Sequence, residues 1–160
     1  MMKQNGIILT GKKFLFSALL FVATFANALN IGDATPTFEI KDQFEKMHKI
    51  SADAKTILVA ESRGTSVIIR EYLLTKDKNF LAANKAHYIA DISGMPSLIS
   101  KWIALPKMKK YPFSILLVNE EQAKSFSTKE DEITVYTVTD GKVSDVKYIK
   151  TTEELAAVFK

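Results

Sequence analysis

The chain has 160 residues, 47% of them hydrophobic and 25% charged, an ordinary mix for one globular domain. Its 22 basic and 18 acidic side chains give a formal charge of +4, but removing Lys3, Lys12 and Lys13 of the first 28 residues leaves 19 against 18. With Arg63 and Arg70 its only arginines, the chain lacks the footprint of a nucleic-acid binder, and having no cysteine excludes thiol redox catalysis, thiolate metal centres and c-type haem attachment.

The chain opens on an export pattern. Lys12-Lys13 closes a positive segment, Phe14 to Phe25 is a short apolar core, and Ala26-Asn27-Ala28 fits a small-residue cleavage site. This predicts a signal peptide over 1–28, a single domain over 29–160 starting at Leu29, and a periplasmic location. The apolar core is shorter than the roughly 18 residues a spanning helix wants, so no stable membrane insertion is expected after cleavage; an uncleaved anchor is the alternative. Lipoprotein anchoring is excluded, because a lipobox needs a cysteine. Small exported domains often use disulfides; this one has to hold together by core burial alone.

In Asn30 to Ile50, Phe38 and Ile40 alternate with polar residues, Asp42 to Lys46 is a polar turn, and Met47 to Ile50 returns, which predicts an N-terminal β-hairpin. Thr56-Ile-Leu-Val-Ala60 is a first central strand. The turn Glu61 to Ser66 leads into a helix from about Thr65 to Leu81, with Thr65 or Ser66 as its N-cap and Asn84 as its stop. His87 to Ile92 is a second central strand. Pro96 suits the first position of another helix, whose apolar residues Leu98, Ile99, Trp102, Ile103 and Leu105 are expected to face inward until Pro106 ends or bends it. Ser114 to Val118 is a third strand, followed by a short helix or turn over Glu120 to Phe126. Ile133 to Val138 and Val143 to Ile149 form a hairpin about Asp140-Gly141. Thr151 or Thr152 caps a last helix over Glu153 to Phe159. The order gives a parallel βαβ core, an antiparallel hairpin and a closing helix: an α/β sandwich on a mixed sheet.

Three stretches carry a resemblance. Ile31-Gly-Asp-Ala-Thr-Pro-Thr-Phe-Glu-Ile-Lys-Asp-Gln-Phe44 resembles the opening G-D-x-x-P-x-F-x-L-x-D-x-x-G of peroxiredoxin and TlpA-type thioredoxin-like domains. Ser114 to Phe126 is similar to their strand, acidic turn and short helix. Ile133 to Val143 is similar to their P-T-x-F-V-I-D-x-D-G-x-V hairpin. The likeness spans Ile31 to Phe159 and implies a thioredoxin-like sandwich. The departures are as informative. The family's reactive cysteine belongs at Arg63-Gly-Thr-Ser66, its cis-proline belongs where Asp131-Glu132-Ile133 stand, and Glu45 replaces its turn glycine. The Arg-Gly-Thr-Ser turn and Lys-Lys-Tyr-Pro-Phe113 resemble the cysteine-poor periplasmic YtfJ-like proteins, a thioredoxin-like family without an established activity.

For a site, the strand-to-helix turn is the place to look, because ligands bind beyond the carboxyl ends of strands in α/β sheets. Arg63, Gly64, Thr65 and Ser66 could hold an anion through helix-terminal N–H groups and the arginine charge; alternatively a hydroxyl there merely caps the helix. Asp91 closes its strand, placed either for a site or to cap the turn at Gly94–Pro96. His48 and His87 lie in separate elements without ligand spacing, so no metal or other cofactor is expected. Trp102, Leu98, Leu105 and Met108 read as core, or as a partner groove beside the lysines of Lys107–Lys110. The sequence names no catalytic residue. It leaves a redox-inactive module for an envelope protein or small anion, or an enzyme of non-thiol chemistry at Arg63–Ser66.

Overall fold

Thr56–Ala60 (β3) is buried at all five positions, the pattern of a strand covered on both faces. In the computed structural model, which describes residues 27–160, it lies inside a seven-stranded sheet of order β2-β1-β5-β4-β3-β6-β7. The predicted leader falls, except for Asn27 and Ala28, outside the described residues. The remaining strands are β1 (Ile40–Asp42), β2 (Met47–His48), β4 (Ala86–Asp91), β5 (Leu116–Val118), β6 (Ile133–Thr139) and β7 (Lys142–Ile149). β3, β4 and β5 run parallel; β1 joins β5, and β6 joins β3, antiparallel. The mixed sheet, the N-terminal hairpin and the hairpin β6–β7 are those the sequence predicts.

Alternation along β3 divides the core. Leu58 and Ala60 face a layer built with Ile69, Leu73, Tyr88 and Leu155, under α1 (Arg63–Leu74) and α6 (Thr152–Val158). Ile57 and Val59 face a second layer with Ile40, Ile89, Val118, Phe126 and Tyr136. Leu29, the predicted start of the domain, belongs to this second layer and donates its N–H to Ser125 O at 3.0 Å.

The helix predicted to run to Leu81 stops at Leu74. Thr75 Oγ1 donates to Tyr72 O at 2.7 Å, a local side-chain bond that competes with helix propagation. Phe80–Ala83 (α2) is a separate turn capped by Asn84, whose Nδ2 donates to Phe80 O. Short helices α3 (Ser97–Ile99), α4 (Leu105–Met108) and α5 (Glu120–Ala123) complete the chain. Between α3 and α4 the chain does not break before Pro106 but widens into a π turn over Ser100–Ala104. Proline lacks the N–H of a normal α bond and its ring crowds the carbonyl four residues back, and the wider turn accommodates both.

This segment overturns the expected inward face. Leu98 is 71% exposed and Trp102 70%, with Ile99 and Ile103 also exposed; only Leu105 and Met108 pack partly on the core. Beside the end of α4, Gln43 is fully buried and lies against the chain ahead of β5. Its amide donates to Phe113 O at 2.7 Å and accepts Ile115 N–H at 2.8 Å, so the side chain takes the hydrogen-bonding place of one more residue of strand.

Candidate functional site

The turn after β3 is closed by its own side chains. Ser62, not Thr65 or Ser66, is the N-cap of α1: its Oγ accepts Thr65 N–H at 3.3 Å, while Thr65 Oγ1 accepts Ser62 N–H at 3.1 Å. The threonine fills the reciprocal place that a glutamate or glutamine more often takes, which is why a search for an acid three residues on misses the cap. Thr65 is thereby buried at 1% exposure. Gly64 is held by no unusual backbone angle, and a Cβ there would meet only Ser62 Oγ at 3.7 Å. Arg63 is exposed and, among the described residues, forms no ion pair.

Ser66 points the other way, toward the sheet. It lies beside the hydroxyl of Tyr88, which burial pushes up to about 12 while Ser66 and Arg70 pull against the shift. Tyr111 stacks on Phe113 at 5.6 Å between ring centres, and the Arg70 guanidinium sits over the Tyr111 ring at 6.0 Å. The Arg-Gly-Thr-Ser turn and the Tyr-Pro-Phe stretch, distant in sequence, thus meet through Ser66, Arg70, Tyr88 and Tyr111. Sequence reading did not identify Tyr88 or Arg70, because only the sheet register brings them together.

Asp91 ends β4 beside the end of β3, as the pairing Ala60↔Ala90 dictates. Its Oδ1 accepts Ser93 N–H at 2.8 Å, so it fastens its own turn; among the described residues no bond joins it to Arg63–Ser66. What faces the turn instead is the loop before β6. Asp131, in a left-handed conformation at φ +57°, donates its N–H to Glu61 Oε1 at 3.0 Å. The turn and the loop that hold the family's reactive cysteine and cis-proline positions are therefore joined here by the carboxylate of Glu61 and the amide of Asp131.

The histidines lie elsewhere. His87, at the start of β4, accepts Ser51 N–H on Nε2 at 3.3 Å, and burial holds its pKa down. His48 Nε2 lies 2.7 Å from Asp42 Oδ2. Burial pushes the Asp42 carboxyl up, but the His48 ring and the N–H groups of Lys46 and Phe44 outweigh it, holding the group below its usual value. Asp42 thus organises the hairpin turn, where Glu45 adopts φ +67° in place of the family's glycine. No cluster of three metal-ligating side chains occurs among the described residues.

Of the two concavities described, neither is lined by the turn or Asp91. The larger, ≈ 520 Å³, opens between the N-terminal hairpin and the segments that follow β4 and β5, lined by Glu39, Lys41, Met47, Ile92, Leu105 and Gln122 among others.

No protein-family model matches the chain, and no curated protein matches it. Solved structures do. The thioredoxin domain of a thiol-disulfide oxidoreductase from Bacteroides vulgatus aligns at TM-score 0.51 and 14% identity, over 83% of this chain and 100% of that one. A thio-disulfide isomerase from Thermus thermophilus aligns at 0.50 and 19%, over 81% and 95%. A peroxiredoxin-like protein from Aquifex aeolicus aligns at 0.51 and 9%, over 84% and 88%. Identities this low speak for architecture alone. The chain is a thioredoxin-like α/β fold without a cysteine.

Proposed function

We propose that this protein is exported to the periplasm and serves there as a redox-inactive thioredoxin-like binding module, accessory to an envelope protein or holding a small anion at Arg63–Ser66. The single observation behind the reading is the state of the turn after β3. Where similar folds carry out thiol chemistry, this chain has a self-capped helix start, an exposed Arg63 and a loop tied back through Glu61. Such a turn can present N–H groups and a positive charge to a ligand, but it contains no nucleophile paired with a base. The periplasmic location rests on the leader pattern of residues 1–28, and kinship with YtfJ-like proteins on the Arg-Gly-Thr-Ser and Tyr-Pro-Phe stretches. The rival of a non-thiol enzyme calls for a histidine or carboxylate beside Ser66 in a hollow; the hydroxyl of Tyr88 is what stands there.

A thermal-shift series in phosphate and sulfate, on wild type and Arg63→Ala, tests the module reading at its site. Charge-assisted bonds from one arginine contribute about 1.5–3 kcal/mol, which gives capture only in the range of several to tens of millimolar. Anion protection of wild type that vanishes in Arg63→Ala is the expected result. Equal protection of both proteins removes the anion from the proposal, and turnover of peroxide or insulin disulfide above the blank removes redox inactivity.

A further inference from the structure

The segment Ser97–Met108 has no buried residue in any of its three helical pieces. Leu98, Ile99, Trp102 and Ile103, spaced i, i+1, i+4 and i+5, share one exposed face. Isolated exposed apolar residues are unremarkable, but a contiguous set of this size marks an interaction surface. Its charge setting is one-sided. From Ile92 to Asn119 the chain has no aspartate or glutamate and four lysines, Lys101, Lys107, Lys109 and Lys110. None of the four forms an ion pair among the described residues.

We propose that this helical segment docks the protein on the surface of an anionic phospholipid bilayer, with Trp102, Leu98 and Ile103 entering the headgroup boundary and the lysines contacting lipid phosphates. The combination is that of an interfacial helix: apolar residues including a tryptophan on one face, lysines around them, and a length too short to span. No helix among the described residues is long and apolar enough to cross a membrane, so the association is peripheral. A second copy is a poor occupant, because a two-fold contact would set lysines against lysines. The inference stands on this segment and is independent of the turn at Arg63.

Trp102 is the only tryptophan in the chain, so its emission reports this surface alone. The full gene product is expressed, and the form the cell itself yields is purified; any leader present is common to all variants. Vesicles of phosphatidylcholine, and of phosphatidylcholine with an equal share of phosphatidylglycerol, are titrated in. With anionic vesicles the emission should move to the blue, become shielded from iodide, and lose both effects in high salt. In co-sedimentation, Lys107→Gln/Lys109→Gln/Lys110→Gln should lower partitioning by roughly a hundredfold, at about fivefold per lysine. Leu98→Ser/Ile103→Ser, which keeps the reporter and alters only exposed residues, should bind weakly with its melting temperature unchanged. Absence of a shift with anionic vesicles, equal binding to neutral ones, or full binding by the lysine variant overturns the proposal. A blue shift that follows protein concentration without lipid assigns the face to self-association and overturns it as well.

Discussion

Glu61 Oε1 accepts the backbone N–H of Asp131 at 3.0 Å, joining the turn after β3 to the loop before β6 across 70 residues of sequence. Both loops are exposed, so the bond holds their spacing more than it stabilises the fold. Glu61→Ala should cost only about 0.5–1 kcal/mol in denaturant unfolding. The sharper readout is hydrogen exchange at the Asp131 amide, which should accelerate by more than global destabilisation accounts for. Exchange at that amide as slow as in wild type would mean the bond is not formed in solution.

The two serines of the turn should separate cleanly. Ser62→Ala removes the cap of α1 and should lower stability by about 1 kcal/mol. Ser66→Ala leaves the cap intact and withdraws a hydroxyl from beside Tyr88, so its effect belongs in the alkaline titration of that tyrosine. Equal losses in both variants, with no change in the tyrosine titration, would return the capping role to Ser66.

Glu45 occupies a backbone conformation that costs a residue with a Cβ about 1–2 kcal/mol. Glu45→Gly relieves that strain, and the greater freedom of glycine in the unfolded chain takes back about 0.4–1 kcal/mol. The net expectation is a rise in unfolding free energy of roughly 0.5–1 kcal/mol. A loss on chemical denaturation would show that the glutamate side chain contributes more than its backbone costs.

Tyr88 sets an alkaline limit. Burial raises its hydroxyl from 10.0 to about 12, so above pH 10 the unfolded chain loses this proton while the folded chain keeps it. Stability is therefore fully present below pH 10 and declines as pH rises toward 12, by roughly 3 kcal/mol in all. Burial shifts Tyr72 and Tyr136 in the same direction, so the test is a difference. Unfolding free energy against pH should fall less steeply for Tyr88→Phe than for wild type over that window. Parallel curves would show that the hydroxyl titrates freely.

Thr134 Oγ1 is buried with no hydrogen-bond partner, beside Val59 in the register of β3 and β6. An orphaned buried hydroxyl costs about 1–3 kcal/mol, and valine has the same shape. Thr134→Val should raise the melting temperature, and a fall would mean that the hydroxyl finds a partner in solution.

Local chemistry made much of the fold legible. The apolar run Thr56–Ala60, the Asp140-Gly141 turn with both residues at positive φ and the threonine-capped last helix depend on neighbours a few residues away, and all three form as the sequence predicts. The absence of a cysteine settles the thiol question without any structure. Errors appear where distant parts of the chain decide. Apolar periodicity placed Trp102 inside, but periodicity says only that a face is apolar, and whether anything covers it depends on where the sheet ends. One error is local: the cap moved from Thr65 or Ser66 to Ser62 because a threonine hydroxyl can stand in for the expected acid. Tyr88 and Asp131 gain their places near the turn only through the parallel register of β3 and β4 and the return of β6. Sequence determined the elements and the missing chemistry, since those follow from short-range hydrogen bonding and composition. Tertiary structure decided which side chains meet and which apolar face stays open, since those follow from how much surface the packed layers can cover.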